Sequence, residues 1–186
     1  MSLHAARLTL HEQPEAVVLS EKYRSEIETL LAKYPPEQKR SAVMPLLYLA
    51  QKEYGCVTEA AMIEVGALCG MSPTQVAGIV GFYSLYYDRP GGRRRVQVCT
   101  DLPCALRGAE KFAEALCQNL GVKLGGTTQD GEFTVEAVMC LAACDKAPMF
   151  QVQDADGLHY HESESAEKPM TVEQARALLE GYKGTK

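Results

Sequence analysis

Four cysteines, Cys99, Cys104, Cys140 and Cys144, carry the clearest chemistry in this 186-residue chain. They form two close pairs, C-x4-C in VCTDLPCALRG and C-x3-C in VMCLAACDKAP, with 35 residues between the pairs. Four thiolates delivered to one place suit a soft metal centre. In a [2Fe–2S] cluster each tetrahedral iron takes two protein thiolates, so one close pair per iron fits the pattern. A structural zinc site also uses four cysteines, but its knuckles are usually C-x2-C, and neither pair has that spacing. Spacing therefore favours iron–sulfur and leaves a zinc-stapled interaction module as the alternative. A C-x-x-C dithiol is absent. Pro103 is placed to open a helix, which would set Cys104 at a helix N-terminus where the dipole stabilises thiolate. Cations near such a centre favour its reduction, and Arg107 and Lys146 follow the two pairs closely.

The other candidates read differently. Cys69 and Cys117 fall on apolar helical faces and Cys56 follows a glycine turn, so all three are assigned to packing. His159 and His161 alternate in a strand-like run and read as a hairpin edge. There is no G-x-G-x-x-G after a strand, no P-loop and no nucleophile elbow. The chain is expected to carry electrons without a nucleotide site or catalytic residues of its own.

The elements that must position the cysteines fall into two grammars. Residues 1–19 lack periodicity and are expected to form a mobile arm. Residues 20–90 read as a helical bundle. Ile27, Leu30 and Leu31 form one stripe, ended by Pro35-Pro36. Leu46, Leu47 and Ala50 form a second, stopped at Gly55. Thr58 caps a third helix that ends at Gly70. Ser72-Pro73-Thr74-Gln75 is a capping box that starts a fourth. The fourth leads into the aromatic run Phe82, Tyr83, Tyr86 and Tyr87, a docking surface or an interdomain packing face. Asp88-Arg89-Pro90-Gly91-Gly92 then breaks the helix.

Residues 91–186 read as mixed strand and helix. Strands are expected over 95–99, 132–138, 149–153 and 158–161, with a further short one near Val122. Leu106, Ala109, Ala113, Leu116 and Leu120 share one helical face, and Val172, Ala175, Leu178 and Leu179 another. Asp154-Ala155-Asp156-Gly157 is a hairpin turn by composition. The order is compatible with a thioredoxin-like α/β sandwich. Both cysteine pairs follow strands, so adjacent or parallel strands could bring the two loops to one end of a sheet. Arg93, Arg94 and Arg95 read as a charged guard at a strand start.

Composition narrows the setting. With 46% apolar residues and a net charge of −5, the chain can build a core but carries no extended basic stripe, which argues against nucleic acid. No run approaches the roughly 18 apolar residues of a membrane span, and the N-terminus lacks a signal-peptide core. A soluble intracellular protein is expected, whose seven cysteines are thiols or metal ligands rather than disulfides.

The motifs VCTDLPCALRG and EAVMCLAACDKAPMFQV, with KYPPEQKRSAVMPLLYLAQKEYG and SPTQVAGIVGFYSLY upstream, closely resemble the thioredoxin-like [2Fe–2S] subunit of respiratory complex I, from about Ser20 to Tyr182. The resemblance implies an α/β fold: an N-terminal helical bundle followed by a thioredoxin-like domain. It implies Cys99, Cys104, Cys140 and Cys144 as the four cluster ligands. The implied partner is a flavoprotein subunit holding FMN and the NADH site, alongside further iron–sulfur subunits. The cluster would exchange electrons with that flavin, in a peripheral arm on the cytoplasmic side of the inner membrane and without membrane insertion. The same subunit type serves NAD-reducing hydrogenases and NAD-dependent formate dehydrogenases. The chain departs from the family's usual Cys-Leu-Gly-x-Cys at Ala142, which would be strained if that position needs a positive φ.

Overall fold

The computed structural model describes residues 19–183. The expected arm lies outside them except for Leu19, which opens the first helix instead. Its backbone N–H donates to the Glu64 carboxylate at 2.9 Å, as does that of Ser20 at 2.8 Å. The chain forms two compact units that divide between Pro90 and Gly91.

The first unit is helical: α1 (Leu19–Lys22), α2 (Arg24–Leu31), α3 (Val43–Tyr54), α4 (Glu59–Cys69) and α5 (Pro73–Phe82). A 3-10 segment, Pro36–Ala42, fills the stretch that Pro35-Pro36 closes to an α-helix and leads straight into α3. The expected caps form. The Thr58 hydroxyl accepts from the Ala61 N–H at 3.1 Å, and Ser72 and Gln75 close a reciprocal capping box. Gly70 ends α4 at φ 67°, a left-handed conformation that glycine adopts without a Cβ penalty. Leu46, Leu47, Val57, Val65 and Val76 are fully buried, and each such side chain removed from water contributes roughly 1.5–3 kcal/mol. The aromatic run splits. Tyr86 is buried with its ring 4.7 Å from that of Tyr48, and its hydroxyl donates to the Met44 carbonyl at 3.0 Å. Phe82 and Tyr83 stay exposed.

The second unit runs β1 (Arg94–Cys99), α6 (Leu102–Leu106), α7 (Ala109–Leu120), β2 (Phe133–Val138), β3 (Phe150–Gln153), β4 (Leu158–His161) and α8 (Val172–Glu180). The sheet order is β2-β1-β3-β4. β1 and β2 are parallel, and the other two pairings are antiparallel. One sheet face buries Val96, Val98, Phe133, Val135, Phe150 and Val152 against Phe112 and Leu116 of α7 and Ala175 and Leu179 of α8. The amphipathic spacing of both helices produces this layer.

Three expectations need correction. No strand forms near Val122; residues there turn, and the edge of β2 is met by irregular chain that bonds to Val135 from Gly125 and Gly126 and makes an isolated bridge between Thr127 and Thr134. The helical face expected from Leu106 through Leu120 is two helices. Gly108, at φ 86°, breaks the chain between them, so Leu106 lies outside the core, 80% exposed. Of the arginine guard only Arg93 is exposed, just before β1; Arg94 and Arg95 are not a solvated edge feature. β1 is an interior strand, where Arg94 is buried against Glu132 at 2.7 Å and Arg95 against Glu136 at 2.7 Å. A cross-strand acid supplies the charge that makes this burial tolerable.

Candidate metal centre

The parallel β1–β2 pair brings the cysteines together. Cys99 is the last residue of β1 and lies opposite Val138, the last residue of β2. Cys140 follows two residues later. The strand ends are tied by the Thr100 N–H to the Val138 carbonyl at 2.9 Å and the Cys99 N–H to the Met149 carbonyl at 3.2 Å. Asp101 caps α6 by accepting from the Leu102 N–H at 2.9 Å, with Pro103 in the first turn. That short helix folds Cys104 back beside Cys99.

Beyond β2, Cys140 through Ala143 form a loop that enters a 3-10 turn, Cys144–Lys146. Cys140 sits at φ 23° and Ala142 at φ 61°, so the loop does need a left-handed residue where this chain carries alanine. Below it, Cys99, Cys104, Ala109, Ala143, Ala147 and Met149 pack as a small apolar floor. The floor is held from the far side by Ser163. Its hydroxyl donates to the Pro148 carbonyl at 2.8 Å and accepts from the Met170 N–H at 2.8 Å.

Cys99 and Cys104 are buried, Cys144 is partly exposed and Cys140 exposed. Burial pushes the Cys104 thiol up to about 12, reinforced by a hydrogen bond with Cys99 and by the charges of Cys99, Cys144 and Cys140. The helix-terminus stabilisation expected for its thiolate is therefore outweighed. A buried site with three neighbouring thiols disfavours a fourth negative charge until a cation compensates it. The same mutual influence makes the two pairs electrostatic neighbours. Among the described residues, no three His, Cys, Asp or Glu side chains are grouped to hold a metal ion. A binuclear iron–sulfur centre needs two thiolates at each iron, so pairs are the unit it uses. An all-thiol donor set at one end of the sheet fits that centre.

The remaining candidates fall elsewhere. Cys56, Cys69 and Cys117 are buried, and Cys69 and Cys117 pack among apolar core residues of their own units. His159 and His161 lie on β4, the sheet edge. His161 stacks on Phe150 at 4.9 Å and hydrogen-bonds the Tyr182 hydroxyl at 2.8 Å. Lys146 pairs with Glu162 at 2.9 Å, whereas the Arg107 guanidinium donates to the Asp145 carbonyl at 3.1 Å. Sequence reasoning missed two features here. Leu102, Leu106 and Met139, beside the cysteines in sequence, are strongly exposed. The signal for Leu106 was Gly108, whose αL geometry ends α6. The other missed feature is the Arg107 bond between the two cysteine loops, which no local pattern encodes.

A four-stranded mixed sheet with helices on one face and two cysteine pairs at one end defines a thioredoxin-like α/β protein. The chain belongs to the thioredoxin-like [2Fe-2S] ferredoxin family, whose model matches residues 27–183, and its cofactor is accordingly a [2Fe–2S] cluster. NADH-quinone oxidoreductase subunit 2 of Thermus thermophilus is 44% identical over 128 residues, covering 69% of this chain and 71% of that one. A second relative, also a subunit of an NADH-quinone oxidoreductase, comes from Rhizobium meliloti. It is 38% identical over 160 residues, covering 86% of this chain and 88% of that one. A chain of the NAD+-reducing [NiFe]-hydrogenase crystal structure superposes with a TM-score of 0.57 at 17% identity over 74% of this chain. It is a much longer chain, of which 22% is covered, and the likeness is one of fold.

Proposed function

We propose that this chain is the electron-carrying [2Fe–2S] subunit of an NADH:quinone oxidoreductase, with Cys99, Cys104, Cys140 and Cys144 as the cluster ligands. The observation that carries the assignment is the delivery of both pairs to one end of the parallel β1–β2 pair, where Cys104 lies within electrostatic reach of the other three cysteines. When bound, the cluster supplies a one-electron redox centre. The chain's own residues hold the thiols, keep Cys99 and Cys104 away from water and leave Cys140 at the surface. Electrons are exchanged with FMN in a partner subunit that binds NADH.

The relatives named as NADH-quinone oxidoreductase subunits, at 44% and 38% identity, support this host over a hydrogenase, whose likeness is one of fold. Leu102 (69% exposed), Leu106 and Met139 (73% exposed) flank the cysteines in sequence and are the exposed apolar side chains offered to the flavoprotein. No single described helix is long and apolar enough to cross a membrane. The chain works in the peripheral arm of the complex, on the cytoplasmic side, held there by its partner subunits.

Protein purified anaerobically should contain two iron and two sulfide per chain. Reduced with dithionite, it should give the electron paramagnetic resonance signal of a [2Fe–2S] centre, and it should copurify with a flavoprotein from its native host. Stoichiometric zinc without iron or sulfide would refute the assignment and leave the zinc-stapled module.

A further inference from the structure

Two cations follow the cysteine pairs, and the structure separates them. Lys146 is engaged by Glu162 at 2.9 Å, so its charge is compensated locally. Arg107 instead bridges the two cysteine segments. It lies three residues after Cys104, at the end of α6, and its own N–H bonds back to the Cys104 carbonyl at 3.0 Å. Its guanidinium Nη1 crosses to the carbonyl of Asp145, the residue after Cys144, at 3.1 Å. Among the described residues this is its side chain's only hydrogen bond, and the acceptor is a neutral carbonyl, which does not cancel the charge. Glu167 senses that charge only as the smallest of the influences on its carboxylate. The Cys144 loop needs such a tie because it is locally costly. Cys140 and Ala142 both hold positive φ, and the Ala142 side chain is exposed.

We propose that Arg107 is the positioning residue of the metal centre: it locks the Cys140–Cys144 loop onto the Cys104 helix and biases the cluster toward its reduced state, whereas Lys146 does neither. This rests on the four-cysteine ligand assignment. One cation supplies both effects. The hydrogen bond fixes the spacing of the two pairs, and the charge offsets the negative charge of a four-thiolate cluster, which grows by one on reduction. An arginine is suited to this because its planar fork stays protonated and its donors are pre-oriented.

The test compares full-length wild type, Arg107→Gln, Arg107→Lys and Lys146→Gln, each reconstituted anaerobically with iron and sulfide. At a fixed solution potential near the midpoint, the reduced-to-oxidised ratio should fall about threefold in Arg107→Gln, equivalent to about 30 mV for a one-electron couple. It should stay near wild type in Arg107→Lys, which keeps the charge, and in Lys146→Gln. Loss of iron to a chelator should quicken several-fold in both Arg107 variants, because lysine does not reproduce the oriented fork. In the apo-proteins, Cys144 should be alkylated faster in Arg107→Gln than in wild type. An unchanged ratio and unchanged iron loss in Arg107→Gln would overturn the proposal, as would an equal shift in Lys146→Gln. Wild type that fails to assemble a [2Fe–2S] centre would instead refute the ligand assignment, and this proposal with it.

Discussion

Ala142 offers a substitution whose sign is unusual: truncating it to glycine should stabilise the protein. Its φ of 61° lies in the left-handed region, where an L-residue pays about 1–2 kcal/mol for the approach of its Cβ to the following carbonyl. The methyl group is exposed, so removing it forfeits no packing. Glycine is freer in the unfolded chain, which returns roughly 0.5–1 kcal/mol of the gain. The net is about 0.5–1 kcal/mol in favour of Ala142→Gly. For a unit of this size that raises the unfolding midpoint by roughly 2–8 °C. The adjacent Ala143 is the control. It sits at φ −122° and is buried in the floor beneath the cysteines, so Ala143→Gly gains no strain relief, loses a packed methyl and should lower the midpoint. Calorimetry of the apo-proteins reads both, and urea midpoints at unchanged slope confirm that the native state is what changed. If both variants shift the midpoint the same way, strain at Ala142 is not a significant term and the reasoning fails.

Cys140→Ser should abolish most cluster iron, whereas Cys117→Ser, buried in the α7 core, should retain it; equal losses measured by iron assay would contradict the ligand set. Ser163→Ala leaves the buried Pro148 carbonyl and Met170 N–H without their shared hydroxyl, costing about 1–3 kcal/mol and several degrees in the calorimetric midpoint; no change would remove the clamp role. Asp130 is held down to about 2, first by the Thr128 hydroxyl, then by the Glu132 N–H and Lys183. A carboxyl lowered in the folded state adds stability above its unfolded pKa, and that stability is lost as pH falls from about 4 toward about 2. Urea midpoints of Asp130→Asn should therefore fall less steeply with acid than those of wild type over that range, and parallel acid limbs would refute the linkage.

The local signals proved reliable where a short stretch decides the outcome. Capping by Thr58 and Ser72 and the Asp154–Gly157 turn depend on side chains reaching backbone groups a few residues away, and the stops at Gly55 and Gly70 on a left-handed backbone that glycine adopts freely. The pairing of cysteines with strand ends was legible for the same reason, since strand residues and turn residues differ in type. The split of α6 from α7 was missed because apolar spacing continues through Gly108 while its backbone does not. Arg94 and Arg95 were misread because their acids, Glu132 and Glu136, lie some forty residues away in sequence and meet them only across the β1–β2 register.

The sequence by itself determined which chemistry is on offer in this protein: four thiols in two close pairs, at spacings that suit one pair per iron. It also determined the elements, because periodicity and capping are local. The tertiary structure decided what those thiols experience. Parallel pairing of β1 with β2 sets Cys99 across from the end of the strand that leads to Cys140. Burial raises Cys104 where a helix terminus alone would have lowered it. The left-handed turn at Ala142 and the reach of Arg107 to Asp145 exist only once the two loops are side by side. Burial, register and long-range hydrogen bonds are properties of segments meeting, and no window of sequence contains both partners.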